Sequence, residues 1–305
     1  MPIESASLST SKSTSRVGLP SRLITRKRIL FLLAMLVLTG FGFVFGLRWF
    51  ESAVTFHPVR YNSSEHALHP PGAVNVSFRT ADGLRLQGWF FTSTATPARA
   101  TVIFFHGNGG NITNVGWVGE RLATRGFDVL VFDYRGYGMS EGEASDESGL
   151  YADADAAYEY VRRRGVQSER IVLYGQSLGT TAVADLASRS QCGAIVLESG
   201  LSSASDMAVQ ALPWLPRRLH FLGRNRFESA RKLSRVTCPV LVTHGDPDPE
   251  IPTAEGRKLF AAANDPKKLL IFPGAGHNVF GSQGDPYLSQ VTDFIQQALR
   301  NKPER

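Results

Sequence analysis

The stretch that decides the fold is RIVLYGQSLGTTAVADLA, residues 170–187. Residues 170–174 form a short apolar run without polar alternation, which is typical of a strand buried in a parallel sheet. The segment after Ser177 is rich in small residues and predicts a helix that packs closely on strands. Between them, GQSLG matches the G-x-S-x-G pattern of a sharp strand–turn–helix connection. The sequence therefore predicts a nucleophilic serine at a helix N-terminus, where the helix dipole favours negative charge.

The same pattern occurs a second time, in GMSEG around Ser140. Here the apolar run 129–132 ends at Asp133, a polar loop intervenes, and no helical pattern follows. Glu141 would also place a carboxylate beside a developing oxyanion. We therefore interpret Ser140 as a loop residue and Ser177 as the nucleophile.

A serine nucleophile needs a base, and the base needs an orienting acid. On a strand–turn–helix scaffold of this kind the chain order is serine, acid, histidine. Of the seven histidines, only His277 follows every plausible acid. It lies in a glycine-rich loop directly after the strand-like run 268–272. His277 is the predicted base.

Several carboxylates compete as the orienting acid. Asp246, Asp248 and Glu250 all lie in HGDPDPEIP, after the strand-like run 238–243. Asp246 is the one we expect to shape the turn. Glu198 is a less favoured candidate for the acid. Its alternative role is that of a hydrogen-bonded residue at a strand end. Residue order alone leaves the choice among them open.

The glycine-rich loop HGNGGN, residues 106–111, follows another buried strand-like run, 101–105. Glycines let main-chain N–H groups approach a substrate closely. We predict an oxyanion hole formed by the N–H groups of Leu178 and Asn108. The loop contains neither G-K-[ST] nor G-x-G-x-x-G, which argues against a phosphate site.

Five motifs, HGNGGN, DYRGYGMSEG, GQSLG, HGDPDPEIP and GAGH, follow one another in this order. Together they resemble the α/β-hydrolase domain proteins of the serine aminopeptidase-like, lysophospholipase-like branch, from about residue 54 to the end of the chain. The resemblance implies that the acid is the fourth residue after the histidine of H-G-x-x-D, which is Asp248. It also implies that the loop 133–140 is structural. Substrates in this family range over lysophospholipids, monoacylglycerols, protein-linked palmitate and small esters.

Strand-like runs alternate with helical patterns from residue 101 onward, and the runs 74–80 and 84–91 predict a hairpin. We therefore expect an α/β-hydrolase fold of about eight mostly parallel strands flanked by helices, in one domain over residues 51–305. Residues 200–236 interrupt the alternation. They are expected to form a small cap over the serine, with a surface helical pair packed on the sheet as the alternative.

The N-terminal region has a different composition. Residues 29–47 carry no charge and are long enough to span a bilayer as a transmembrane anchor. Residues 1–28 are expected to be a disordered basic tail, and the positive-inside rule then places the catalytic domain outside the cytoplasm, on the periplasmic or extracellular side. A transit peptide is a rival interpretation, which the uniformly apolar span disfavours, and a cleaved signal sequence is another.

The positive charge is concentrated in this tail. Residues 1–28 hold six basic residues and one acidic residue, so they supply +5 of the chain's net charge of +6. The high isoelectric point is therefore not the footprint of a nucleic-acid-binding surface. Cys192 and Cys238 lack metal-site spacing and are expected to be two buried thiols, with a disulfide between them as the alternative for a domain outside the cytoplasm. We expect no cofactor and no nucleic-acid partner.

These observations favour a membrane-anchored serine hydrolase that cleaves carboxylic esters of the acyl ester, lysophospholipid or thioester class. Ser177, His277 and Asp248 would form the triad and an acyl-enzyme would be the intermediate. Its partners would be a small-molecule or lipid ester and the membrane. The alternatives are a peptidase or amidase of the same fold, and a non-catalytic scaffold that binds a lipid or a partner.

Overall fold

The computed structural model describes residues 26–62, 70–211, 213–214 and 216–300. The predicted basic tail, residues 1–28, lies almost entirely outside the described residues. The chain divides into two compact units, Met1–Phe45 and Gly46–Arg305. The second unit holds the sheet and every predicted site residue.

Helix α1, Arg26–Thr55, contains the predicted span. Among the described residues it is the one helix long and apolar enough to cross a membrane, with a mean hydropathy of 2.5 over its best window. At about 1.5 Å per residue, residues 29–47 extend over roughly 28 Å, close to the thickness of a hydrocarbon core. Length and composition fit a membrane anchor and a signal sequence equally well.

An eight-stranded sheet forms the centre of the second unit. The strands of the described residues are, in chain order, β1 His57–Pro58, β2 Ala73–Arg79, β3 Arg85–Phe91, β4 Thr101–Phe105, β5 Gly109–Gly110, β6 Asp128–Phe132, β7 Ile171–Gln176, β8 Ala194–Glu198, β9 Val240–Asp246 and β10 Lys267–Pro273. All except β1 and β5, which pair with each other, belong to this sheet. The sheet order is β10-β9-β8-β7-β4-β6-β3-β2. The pairs β2–β3 and β3–β6 are antiparallel and the other pairs of this sheet are parallel, so the predicted hairpin and the mostly parallel sheet are confirmed.

Helices cover both faces of the sheet. The remaining helices are α2 Ile112–Thr124, α3 Glu147–Arg163, α4 Gly179–Ala187, α5 Ala204–Ala211, α6 Ser229–Leu233, α7 Thr253–Ala262, α8 Val279–Gln283 and α9 Asp285–Arg300. Alternate residues of β4 enter two separate cores. Ile103 and Phe105 pack with α3, α4 and α7, whereas Val102 and Phe104 pack with α2, α8 and α9. This is the layered α/β arrangement that the sequence predicts.

Residues between β8 and β9 form the interruption that was predicted as a cap over 200–236. They include α5, a 3₁₀ segment Arg217–Leu222 and α6. Helix α6 packs on α4 and α7, while α5 packs on the 3₁₀ segment. The second half of the insertion therefore packs on the helical layer beside the sheet. A cap over the serine stays a prediction.

The two cysteines precede neighbouring strands, β8 and β9. Both are buried thiols, and their Sγ atoms lie 2.8 Å apart. Their proximity follows from the pairing of the two strands.

Candidate active site

The predicted site residues follow four parallel strands at their carboxyl ends. Asn108 follows β4, Ser177 follows β7, Asp248 follows β9 and His277 follows β10. In open α/β sheets this edge is where ligands bind. The topology therefore brings residues that are up to 169 positions apart in the chain to the same edge.

Ser177 occupies a strained turn between β7 and α4. Its φ is 52°, in the left-handed region that costs a non-glycine residue about 1–3 kcal/mol. A Cβ on Gly175 would lie 2.6 Å from the carbonyl oxygen of Gly179, and a Cβ on Gly179 would collide with the carbonyl oxygen of Phe105. The main-chain N–H of Ser177 donates to the carbonyl of Glu198 at 2.8 Å. Both glycines of G-x-S-x-G are therefore required by close backbone approach.

His277 and Asp248 are in direct contact. The Nδ1 atom of His277 lies 2.8 Å from Oδ2 of Asp248. The other carboxylate oxygen, Oδ1, accepts the main-chain N–H groups of Glu250 at 2.8 Å and Ile251 at 3.0 Å. These contacts fix the carboxylate in the orientation that holds the imidazole.

His244 gives Asp248 a further partner that the sequence did not reveal. Its Nε2 lies 3.2 Å from Oδ2 of Asp248 and 2.8 Å from the carbonyl oxygen of Ile251. Both neighbours are acceptors, so this nitrogen carries the hydrogen. His244 is fully buried, and it lies behind the carboxylate as a second support.

The electrostatics of the pair follow from these contacts. Burial raises the pKa of Asp248, but hydrogen bonds from His244, His277 and the Ile251 N–H outweigh it and hold that pKa well below its usual range. Burial lowers the pKa of His277, but the hydrogen bond and charge of Asp248, with the charge of Glu250, raise it above its ordinary value. Asp248 therefore stays ionised and stabilises an imidazolium at His277.

The competing carboxylates are placed differently. Asp246 is exposed, and its carboxylate accepts the Thr253 hydroxyl at 3.4 Å. Glu198 is fully buried and accepts the hydroxyl of Tyr287 at 3.2 Å and the main-chain N–H of Phe280 at 3.0 Å. Glu198 thus has the hydrogen-bonded strand-end role that was its alternative.

Ser140 is buried and bonded to the backbone. Its hydroxyl donates to the carbonyl of Asp133 at 2.7 Å and accepts the N–H of Gln87 at 2.9 Å. These two hydrogen bonds to main-chain groups tie the loop 133–140 to β3. Ser140 therefore has the structural role predicted for it.

The loop that carries Asn108 lies against the serine, since a Cβ on Gly107 would be 3.5 Å from the Cβ of Ser177. The carbonyl of Asn108 accepts the His57 N–H at 2.9 Å and the Tyr137 hydroxyl at 2.7 Å. Among the hydrogen bonds of the described residues, none uses the main-chain N–H of Asn108 or Leu178. Their role as oxyanion-hole donors stays a prediction.

A two-stranded ladder that the sequence did not predict holds this loop in place. Strand β1 pairs in parallel with β5, with His57 opposite Gly109. The Nδ1 atom of His57 also lies 3.1 Å from the side-chain nitrogen of Asn108. Two residues per strand are too few to show a periodicity, which is why the pattern gave no signal.

A cavity of about 480 Å³ adjoins the serine, within the roughly 300–1,000 Å³ of typical small-molecule sites. Ser177, Leu178 and Asn108 line it. The other lining residues are mostly apolar and are Leu47, Phe50, Glu51, Val54, Thr55, Leu201, Ala204, Ser205, Met207, Ala208, Leu219, His220, Gly223, Asn225, Phe227, Glu250 and Ile251. Among the described residues, no group of three or more His, Cys, Asp or Glu side chains is placed to hold a metal ion.

We expect Glu250 to influence the pH dependence of activity, because its carboxylate lies 3.6 Å from Nε2 of His277. As the predicted base, His277 would act only when neutral, so kcat/KM is expected to fall as the pH drops through its pKa. Because Glu250 helps to raise that pKa, Glu250→Gln is expected to move the acid limb of the kcat/KM profile to lower pH. Glu250 is 63% exposed, so high salt should shrink the difference between variant and wild type. An unchanged limb, or one moved to higher pH, would contradict this role.

The strand order and the serine turn define the α/β-hydrolase class, and comparisons with known proteins agree. Residues 96–230 match the family described as Serine aminopeptidase, S33. The uncharacterized protein YfhR of Escherichia coli K12 is 37% identical over 245 residues, which cover 75% of this chain and 83% of YfhR. Mouse alpha/beta hydrolase domain-containing protein 17C is 39% identical over 232 residues, covering 75% and 70% of the two chains. The chain belongs to the α/β-hydrolase family.

Solved structures support the fold. The Pyrococcus furiosus esterase Pf2001 superposes with a TM-score of 0.64 at 19% identity, covering 80% of this chain and 98% of the esterase. The esterase RhEst1 from Rhodococcus superposes with a TM-score of 0.58 at 19% identity, covering 73% and 99%. At this identity the likeness extends to the fold alone.

Proposed function

We propose that this protein is a serine hydrolase that cleaves carboxylic esters through an acyl-enzyme. The observation that carries the proposal is the 2.8 Å contact between His277 and Asp248 at the sheet edge where Ser177 occupies its strained turn. Glu198 and Asp246 make other contacts, so Asp248 is the acid of this triad. The mostly apolar cavity beside Ser177 favours an ester with an apolar acyl group.

In the first half of the reaction, Oγ of Ser177 attacks the ester carbonyl carbon while Nε2 of His277 takes the hydroxyl proton. The carbonyl π electrons move to oxygen, and the N–H groups of Leu178 and Asn108 donate to the resulting oxyanion. Each such donor is worth roughly 2.7–4 kcal/mol of transition-state stabilisation. The dipole of α4 favours the same negative charge.

Collapse of this intermediate breaks the bond to the leaving alcohol, which takes the proton from His277. Water then attacks the acyl-enzyme with His277 again as the base, and the acid product leaves with Ser177 restored. Asp248 accepts a hydrogen bond from Nδ1 throughout, so Nε2 is the nitrogen that exchanges the proton. No cofactor enters this sequence of steps.

A fluorophosphonate probe tests the proposal directly. The full-length protein is expected to label, with the adduct on Ser177 in peptide mass spectrometry, because the probe reacts with an activated serine. A non-catalytic scaffold would not label. Parallel assays with a 4-nitrophenyl ester and an aminoacyl amide then decide between the esterase and the amidase. Hydrolysis of the amide alone would contradict the ester assignment.

We also propose that α1 anchors the protein in a membrane through residues 29–47, after a basic tail of residues 1–28. The last turns of α1 belong to the same compact unit as the hydrolase domain. Glu51 in these turns accepts the main-chain N–H of Arg224 at 2.6 Å and that of Asn225 at 2.8 Å. Cleavage inside this helix end would remove contacts that the domain uses, which supports an anchor over a cleaved signal.

The sidedness of the anchor follows from charge. Arg26, Lys27 and Arg28 precede the apolar stretch, whereas Arg48 alone abuts its far end. By the positive-inside rule, the catalytic domain is expected outside the cytoplasm. A reporter that is active only outside the cytoplasm, fused after Arg305, should give signal, while a cytoplasm-only reporter should stay silent. The reverse pattern would place the enzyme inside.

A further inference from the structure

The last turns of α1, residues 47–55, line the cavity that adjoins Ser177. Leu47, Phe50 and Val54 contribute side chains to its wall. They are spaced by three and four residues, so they share one face of the helix. The helix that carries the apolar stretch 29–47 thus also supplies an apolar surface to the substrate cavity.

These turns are fixed to the hydrolase domain. The Glu51 carboxylate accepts the main-chain N–H groups of Arg224 and Asn225. The Ser52 hydroxyl donates to the carbonyl of Ser145 at 2.6 Å. A carboxylate that accepts two main-chain N–H groups is a strong, charge-assisted contact. These contacts therefore hold residues 47–55 in a fixed position relative to Ser145, Arg224 and Asn225.

Residues 47–55 are the direct continuation, in the chain, of the proposed membrane span. Leu47 is the last residue of the apolar stretch, and Arg48 and Trp49 follow it. Trp49 is 69% exposed. Tryptophan and arginine at this position are typical of the bilayer interface. A cavity whose wall begins at the interface is suited to an amphiphilic ester with an apolar chain.

Another part of the cavity lining is also apolar. It comprises Met207 and Ala208 of α5 and Leu219 of the 3₁₀ segment. An apolar chain bound in this cavity would remove hydrocarbon surface of α1, of α5 and of the 3₁₀ segment from water, which favours longer chains.

We propose that residues 47–55 of α1 form a specificity-determining wall of the substrate cavity, which binds the long apolar acyl chain of an ester. This inference rests on the proposed ester hydrolysis. It makes the anchor helix part of the substrate site, and chain-length preference depends on the residues at this helix end.

The test measures kcat/KM of the full-length protein in detergent micelles for 4-nitrophenyl dodecanoate and 4-nitrophenyl acetate. Val54→Trp fills the cavity from the α1 side and is expected to lower the dodecanoate-to-acetate ratio about tenfold or more, because a packed site rejects added volume. Ala53→Trp is the matched control. Ala53 is the neighbouring residue, is exposed and does not line the cavity. Its ratio should stay within about twofold of wild type, since the same side chain then points away from the site.

A second pair of variants removes apolar side-chain surface without adding side-chain volume. Phe50→Ser is expected to lower the same ratio, whereas Trp49→Ser, on the adjacent exposed position, leaves it unchanged. An unchanged ratio in both cavity variants, or an equal fall in their controls, would overturn the proposal. A loss that is the same for both esters would also overturn it, since it would indicate structural support only. If Val54→Trp does not fold, Phe50→Ser decides alone. Failure of the proposed function looks different, because the wild type would then neither label with fluorophosphonate nor hydrolyse the acetate ester.

Discussion

Replacement of Ser177 with alanine is expected to lower kcat for ester hydrolysis by about 10⁶-fold, the size of loss that follows removal of a triad nucleophile. The residual rate would come from substrate binding and the oxyanion donors alone. The left-handed φ of 52° at Ser177 is equally strained for serine and for alanine, since both carry a Cβ. The substitution therefore leaves the backbone strain unchanged, and the fold is retained. The rate is measured with a 4-nitrophenyl ester, and fluorophosphonate labelling should disappear in parallel.

Ser140→Ala is the matched control, since Ser140 occupies the other G-x-S-x-G pattern. The variant loses two buried hydrogen bonds with the loop and β3. Its melting temperature should therefore fall, because an unsatisfied buried group costs about 1–3 kcal/mol. Folded protein should keep most of its activity. Loss of activity in Ser140→Ala at an unchanged melting temperature, or retention of activity in Ser177→Ala, would overturn the choice of nucleophile.

Replacement of Asp248 with asparagine is expected to lower kcat by about 10⁴-fold. Asparagine can keep an oxygen toward the N–H groups of Glu250 and Ile251, so the loop retains these two contacts. The Nε2–H of His244 loses Oδ2 as an acceptor but keeps the carbonyl of Ile251. It then presents an amide N–H₂ to His277, which favours the tautomer with the hydrogen on Nε2. An imidazole in that state cannot accept the Ser177 proton. The loss should appear in kcat, with fluorophosphonate labelling slowed to a similar degree.

The control for this acid is Asp246→Asn, two residues away in the same loop. Asp246 is exposed and makes a weak 3.4 Å contact with Thr253. Its replacement should cost less than about tenfold in kcat, because a surface carboxylate of this kind contributes little. If Asp246→Asn is the inactive variant and Asp248→Asn is active, the acid is misassigned by two positions.

Local sequence patterns predict the fold and the order of the candidate site residues along the chain. Apolar runs identify buried strands by composition, and the 3.6-residue stripe of Tyr287, Val291 and Ile295 identifies an amphipathic helix. The turn at Ser177 is local only in part, because Gly175 is demanded by the nearby carbonyl of Gly179, whereas Gly179 is demanded by Phe105 at the end of the adjacent strand. The apolar runs, the helical stripe and the glycine pattern depend on short segments, so they can be recognised without the fold.

The choice of acid shows where local pattern ends. Asp246, Asp248 and Glu250 share one loop, and their spacing is compatible with each as the partner of His277. The structure separates them by contact, since Nδ1 of His277 meets Asp248 while the Glu250 carboxylate approaches Nε2. Family resemblance pointed to the same residue, but composition and spacing did not.

Other features depend on the tertiary structure alone. His244 supports Asp248 from within the core, His57 pairs with Gly109 in the loop 106–111, and Glu51 accepts the main-chain N–H of Arg224, 173 residues away. Each is a contact between segments with no periodicity of their own, made when the sheet brings strand ends together. For the same reason, the sequence of the end of α1 indicates only the continuation of an apolar helix. These residues line a cavity only in the folded structure, where residues of the segment 200–236 line the same cavity.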